Sequence, residues 1–541
     1  MSKHLTRSRA AIRTSVQLFE VESVEQIMSA LLAACILVIF LLFKWFTKNK
    51  DFFRDKPIPS MPFRSLRYNT VSLLLRATDI GTFCEQMYNK FADAKIFGMF
   101  DIIKPVIIVR DPDLIKRFTA KDFDHFVDRP GILGNDKNDD PHALFGKSLP
   151  MLTGSKWRDM RTTLTPVFTG SKMRQMHQQV LECCDNVVQF LNLEQQEGEV
   201  EIVLQDLTNR FAIDVISCCI FGIKMNSLCD RTNKIYTYGS QVSKLVRISI
   251  LFKMLLIKCF PTWSSKLGID AIERKHAKYF YEIVTDTIKS RAEQNITAND
   301  MINLLTQAQQ NQQNLKLTNT LTDSSIAAQL LAFLLAGCST ITFTLVCLIH
   351  DLVVHQEVQQ KLYEEIIQTQ ANLDTDRLSY DSLQSMKYMD MVISESMRIH
   401  SQFPHLFRQC VKNYTVDDGE GLKFDIEPGT LVWIPAQGLQ MDPKHFPDPK
   451  RFDPERFNAE NRRNIHPATY LPFGAGPRNC IGLRLGLMEM KALLYHLLLN
   501  FSITANRNTP TALPINKGYA FLKALSRDVS VTFQNRSKSD S

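Results

Sequence analysis

Apolar and polar positions are unevenly distributed along this 541-residue chain, and their pattern predicts helices far more often than strands. From Ile27 to Phe43 an apolar run is interrupted by nothing more polar than Ser29, and Trp45 and Phe46 follow Lys44. A bilayer core takes about 20 such residues, about 17 at the lower end. Residues 27–46 therefore read as a transmembrane anchor. Thr322–Ile366 predicts a very long, largely apolar helical stretch that breaks near His355, and Ala271–Asn295 is charged and aromatic at helical spacing. Short β segments are expected at Val106–Val109, Tyr414–Val416 and Leu431–Ile434, the last two around the Glu427-Pro428-Gly429 turn. The polar tract Gln307 to Asn314 reads as a surface loop between helices. The expected fold class is mainly α with small β-sheets, and the missing βαβ rhythm argues against a Rossmann fold. With no GxGxxG and no GxxxxGK[ST], a bound nucleotide is not expected.

Length alone suggests three or four domains, but residues 65–533 contain no Gly/Ser or charge-block linker and no repeat. One large domain over 65–533 follows, and a chain of that size is organised around something big, such as a cofactor. Pro57, Pro59 and Pro62 make residues 47–64 a stiff hinge, and residues 534–541 are a polar tail. Lys44, Lys48, Lys50, Arg54 and Lys56 follow the apolar run and Glu20, Glu22 and Glu25 precede it. The positive-inside rule then places everything from residue 44 onward in the cytosol. A cleaved signal peptide fits less well, because the run is long and aromatic and basic residues follow it. Residues 1–26 form a leader of open role. Its first 19 residues carry Lys3, Arg7, Arg9 and Arg13 without an acid, imitating a mitochondrial transit peptide, and Met28 is an alternative start.

Composition narrows the classes further. Apolar residues at 45% and charged residues at 22% exclude a disordered chain, a fibre and a multi-span membrane protein. The net charge of +8 does not imply nucleic acid: residues 1–56 hold nine Lys+Arg against five Asp+Glu, half the excess, and the rest is nearly neutral. Twelve cysteines without a CxxC exclude a disulfide scaffold, a zinc ribbon and a thioredoxin-like site, and they suit a reducing compartment.

The sharpest chemical feature is Pro472-Phe473-Gly474-Ala475-Gly476-Pro477-Arg478-Asn479-Cys480-Ile481-Gly482, followed by the apolar run Leu483 to Leu499. Such a rigid loop presents a thiol at a helix N-terminus, where the dipole and free N–H groups favour thiolate. A nucleophile, a zinc ligand and an axial ligand to haem iron are all open to it. The segment Phe473 to Gly482 closely resembles the haem-binding loop of the cytochrome P-450 superfamily. Glu395-Ser-Met-Arg398 resembles that family's ExxR, whose two side chains share a helix face. Phe452-Asp-Pro-Glu-Arg456-Phe457 resembles the segment whose arginine completes a Glu395–Arg398–Arg456 triad. The resemblance spans about residues 55–533 and is closest to microsomal animal enzymes, especially insect ones of the detoxifying type.

That resemblance implies one haem b, with Cys480 as the iron's thiolate ligand and Phe473, Gly474 and Gly482 forming its cradle. It implies that Trp157 and Arg161, at i,i+4, join Arg408 and Arg478 on the haem carboxylates, while Arg158 points off that face. It further implies insertion of one oxygen atom from O2 into a lipophilic small molecule, a xenobiotic or an endogenous lipid- or hormone-like substrate. Electrons would come from NADPH through a diflavin reductase, with a small b-type cytochrome as a second donor. The expected location is the endoplasmic reticulum membrane, ahead of the mitochondrial inner membrane. Lys156, Arg158, Lys172 and Arg174 are candidate docking charges for the reductase, and Ile248–Phe260 is expected over the substrate channel, dipping into the bilayer. One departure stands out. In Ala336-Gly337-Cys338-Ser339-Thr340 the hydroxyl of Thr340 is kept, but Ser339 replaces the family's acid. Hydroxyls relay protons without supplying them near pH 7. The expected catalytic pair is Thr340 with Ser339 as relay partner, and a peroxide-rearranging isomerase or a non-catalytic haem-binding membrane protein are the alternatives.

Overall fold

The longest helix of the interior, Asp323–Val354, begins where Thr322 Oγ1 accepts the Ser325 N–H at 3.1 Å, with Asp323 in the favourable first turn. It ends at His355, whose backbone leaves the helical region, and Gln356–Ala371 continues as a separate helix. The computed structural model describes residues 28–536 except 42, 64, 66–67, 132–139, 244–251, 255, 258–259, 271, 297–299, 315–320, 374, 376 and 519–521. The helices used below are α1 (Met28–Thr47), α2 (Gly154–Leu164), α3 (Gly170–Glu194), α4 (Leu204–Cys219), α5 (Arg274–Glu293), α6 (Met301–Asn314), α7 (Asp323–Val354), α8 (Gln356–Ala371), α9 (Lys387–Ile399) and α10 (Leu483–Asn500).

Helix α7 runs through the largest apolar core, against α4, α5, α9 and α10. Gly337 marks its closest crossing with α4: an added Cβ would lie 2.6 Å from Ile216 Cδ1. The polar tract Gln307–Asn314, expected as a loop, is instead the second half of α6. Gln is a good helix former, and the buried Met301, Ile302 and Leu305 hold the first half of that helix in the core. The apolar stripe therefore begins before the tract and carries it along as helix.

Three small sheets lie beside the helices. Strands β1 (Ile96–Asp101), β2 (Lys104–Val109), β7 (Leu431–Ile434) and β4 (Leu406–Gln409) form one sheet in the order β1-β2-β7-β4. Its register pairs Ile107 with Val432 in parallel, and Arg408 with Val432 antiparallel. Strands β3 (Glu199–Val203), β9 (Ser530–Asn535) and β8 (Phe501–Thr504) form the second sheet, and β5 (Tyr414–Asp417) with β6 (Lys423–Ile426) the third. The Glu427-Pro428-Gly429 turn thus passes the chain from one sheet to another instead of closing a hairpin. The proline segment is fastened as well as stiff. Met61 donates its N–H to Gly98 O at 2.9 Å, Gly98 donates to Pro59 O at 2.8 Å, and the buried Phe53 ring occupies the place a Gly98 side chain would need. By contrast, α1 has none of its apolar window buried.

Candidate functional site

The loop before α10 is closed by its own backbone. Cys480 N–H donates to Phe473 O at 2.9 Å, Gly474 N–H to Leu471 O at 3.1 Å, and Asn479 N–H to Gly476 O at 3.0 Å. Gly476 has φ +68°, and a side chain there would run into the Thr119 carbonyl, so glycine is required. Gly474 also takes a left-handed φ of +75°. Gly482 is the N-cap of α10, and an added Cβ there would meet nothing within 4 Å. The Cys480 side chain keeps accessible surface although it sits deep in the fold. Burial pushes its thiol up, while the Gly482 N–H and the charges of Arg161 and Arg129 pull it down. Burial wins. A metal ion bound to this sulfur would displace its proton.

Around this cysteine the fold concentrates cations. From α2, Arg161 donates to Asn479 O at 2.9 Å and to Asn479 Oδ1 at 2.8 Å. Trp157, one turn earlier, is buried with its ring 4.1 Å from the Arg478 guanidinium carbon. Arg478 donates to Val127 O at 2.9 Å and Leu152 O at 2.8 Å. Arg408, on β4, donates to Ala475 O at 3.1 Å, and its Nε is buried with no hydrogen-bond partner. Arg129 donates to Arg478 O at 2.7 Å. Burial lowers all four guanidinium pKa values, and for three of them repulsion from neighbouring arginines adds to it, taking Arg129 to about 10, Arg408 to about 9 and Arg478 to about 8. Asp128 is the carboxylate facing Arg478, at 3.9 Å. These five groups sum to +3, most of which a dianion would offset. The two carboxylates of a haem are such a dianion, and Cys480 offers a thiol to its iron, so the residues present fit the group. Arg158 lies on the surface, paired with Asp124.

On α7 the residues either side of Ala336 are buried or partly buried, yet Ala336 itself is exposed in the middle of a core helix. Thr340 Oγ1 donates to Ala336 O at 2.7 Å, and Ser339 Oγ donates to Leu335 O at 2.8 Å. Further off, Arg398 donates to both oxygens of Glu395, at 2.7 and 2.8 Å, with both side chains fully buried. Arg456 Nε reaches Glu395 Oε1 at 3.3 Å, and Asp453 N–H donates to the same oxygen at 2.9 Å. This triad ties α9 to the long segment that leads into the cysteine loop. A cavity of about 500 Å³, lined among others by Phe52, Ile80, Pro130, Ile257, Phe407 and Trp433, opens between the stem and the four-stranded sheet.

Two contributors were not apparent from the sequence. Arg129 carries no motif, and its link to Arg478 spans 349 positions. Asn479 lies inside the cysteine motif, but its bond to Arg161 across 318 positions is a property of the fold. Most of the expected roof segment, 248–260, lies outside the described residues. Within it Phe252 and Phe260 are exposed, whereas Lys253 donates to Asp270 O at 3.0 Å.

A family model for cytochrome P450 matches residues 62–527. The chain is 37% identical over 473 residues to the probable cytochrome P450 9f2 of Drosophila melanogaster, covering 85% of this chain and 90% of that one. It is 35% identical over 507 residues to cytochrome P450 9e2 of Blattella germanica, covering 89% and 93%. The probable cytochrome P450 6a14 of Drosophila melanogaster is 35% identical over 448 residues, covering 80% and 86%. Because the family model spans β1 through α10, and with them the loop that carries Cys480, the chain belongs to the cytochrome P450 family of haem-thiolate monooxygenases.

Proposed function

We propose that this chain oxidises lipophilic small molecules at the surface of the endoplasmic reticulum membrane, drawing electrons from NADPH through a diflavin reductase. The observation that carries the reading is an accessible cysteine deep in the fold, beside a guanidinium cluster that the facing Asp128 only partly offsets. Haem b held there supplies the one-electron chemistry by which O2 becomes the oxidant. Cys480 would hold the iron, and Arg129, Arg161, Arg408 and Arg478 with Trp157 would hold the carboxylates. Gly474 and Gly476 keep the loop backbone rigid. At the exposed turn of α7 the Ser339 and Thr340 hydroxyls are committed as donors to helix carbonyls, leaving acceptor lone pairs toward solvent. They can pass a proton along a water chain, but no carboxyl at position 339 supplies one.

Substrate class and location follow from apolar surface. Trp45, at the end of α1, stacks on Phe260 at 5.8 Å, and Trp263 and Leu267 beside it are 70% and 69% exposed. Such a patch next to a 20-residue apolar helix suits a bilayer interface, and a cavity that opens near it would receive solutes from lipid. In the test, the full chain is combined with a diflavin reductase and a panel of lipophilic compounds. Substrate-dependent NADPH consumption with one oxygen atom incorporated from labelled O2 is expected. Product formed without NADPH would instead indicate a rearranging isomerase. Cys480→Ser should abolish the red-shifted Soret band of the ferrous–CO form.

A further inference from the structure

On helix α7 three hydroxyls, at positions 339, 340 and 344, bond back to the helix backbone. Ser339, Thr340 and Thr344 each donate their hydroxyl back to the carbonyl four residues earlier, at 2.8, 2.7 and 2.8 Å. Back-bonding of this kind loosens and bends a helix. At the same turn the Ser339 carbonyl accepts a bond from outside the helix, from Gln402 Nε2 at 3.2 Å. A donor reaching the Ser339 carbonyl from the side competes with the Phe343 N–H, its intrahelical partner four residues on, and weakens that rung.

Gln402 is well placed to do this. It is 9% exposed, and its own carbonyl accepts the Lys523 N–H at 2.8 Å. Two residues earlier, His400 Nε2 pairs with Asp351 Oδ1 at 2.9 Å, and Ser396 Oγ donates to Asp351 Oδ2 at 2.7 Å. The segment after α9 is therefore fastened to α7 at two points, Asp351 and Ser339, and forms a strut beside it. From the other side Ile216 presses on Gly337, leaving no room for a side chain.

We propose that Gln402 is a positioning residue for oxygen use: its amide shares the Ser339 carbonyl with the Phe343 N–H and loosens the Ser339–Phe343 turn, on which Thr340 sits, in a chain whose distal acid is absent. The inference rests on the reading of that turn as the oxygen-facing side of the site. Gln402 touches no reacting atom. It acts through the backbone of α7, setting where the Thr340 hydroxyl and the waters it contacts can sit.

The experiment uses the haem-loaded full chain with a diflavin reductase and compares Gln402→Leu, which keeps bulk and removes the donor, with Gln402→Asn, which keeps the amide but shortens it. Both should retain the native ferrous–CO band. Product per NADPH should fall several-fold with matching peroxide release, in kcat and not in KM. Amide hydrogen exchange at Phe343, whose N–H then has the Ser339 carbonyl to itself, should slow about five-fold, the size expected for one net hydrogen bond, with residues 326–334 unchanged. In a Ser339→Ala background the coupling loss should persist, because the carbonyl is still there. Unchanged coupling and exchange in Gln402→Leu would overturn the proposal. So would loss of the CO band in both variants or faster exchange along all of α7, since Gln402 would then be merely structural. A native protein that itself lacks the CO band or NADPH-dependent product would instead refute the underlying functional reading.

Discussion

Helices α1 and α7 have nearly the same mean hydropathy over their most apolar windows, 2.4 and 2.2, yet none of the first window and 67% of the second is buried. Their polar residues differ. Between Met28 and Phe43, α1 has no polar side chain beyond Ser29 and Cys35, and cations gather after its end. Helix α7 is punctuated by polar residues, several of them met by partners from elsewhere in the fold. Gln329 accepts the Leu149 N–H at 2.8 Å and donates to Lys147 O at 2.8 Å, His350 Nε2 pairs with Pro510 O at 2.8 Å, and Asp351 binds Ser396 and His400. Buried polar groups need such partners, and lipid offers none. An apolar helix dotted with polar groups is thus a core helix awaiting its neighbours, and an unbroken one suits a bilayer.

The largest test of this contrast places a lysine on each helix. Leu335→Lys, at a position 3% exposed on α7, should cost roughly 5 kcal/mol, comparable with a domain's whole net stability. The amount of ferrous–CO absorbance per milligram should collapse. Leu37→Lys, at a position 57% exposed on α1, should leave that absorbance intact and release protein from the membrane pellet. Tolerance of both would break the comparison.

A steric version is milder. Gly337→Val forces a side chain onto Ile216 and should destabilise by about 1–3 kcal/mol, partly relieved by Ile216→Ala in the same chain. Ala33→Val on exposed α1 should not move the melting temperature.

Burial around α7 also has a pH signature. On α4, burial raises the Asp214 carboxyl to about 6 from an ordinary 3.8, against the hydrogen bonds from Ser227 and the charge of Arg210. The folded state then holds this proton more tightly than the unfolded one, so the contribution to stability falls as pH rises from about 4 to about 6 and levels off above. Asp214→Asn should flatten that part of the melting-temperature profile, whereas removing residues 1–43 should leave the slope as it was.

The smallest effect is expected at a stacked contact between the end of α1 and the domain. Trp45→Ala removes the ring 5.8 Å from Phe260 and should cost about 1 kcal/mol or less, read as a small drop in melting temperature in detergent. A larger loss would mean that α1 is part of the folded core.

Local features were legible in the sequence because their physics is local. Glu395 and Arg398 pair because residues three apart share a helix face. The break at His355 and the left-handed glycines at 474 and 476 answer to backbone preferences that a short window reveals. The Gln307–Asn314 tract misled because the apolar anchors of its helix lie upstream of it. Arg129 and Gln402 could not be read at all. Each is an ordinary polar residue in a loop, and its partner lies 349 or 63 positions away.

By itself, the amino-acid sequence determined which segments are apolar enough to be helices, where glycine has to turn the chain, and which cysteine stands before a helix on a rigid loop. The tertiary structure decided which of two equally apolar helices becomes the core, that four arginines from distant segments share one buried site, and that the Cys480 thiol is raised by burial despite the helix behind it. Those outcomes depend on sums, of buried surface and of charge in a low-dielectric volume, over residues that only folding brings together.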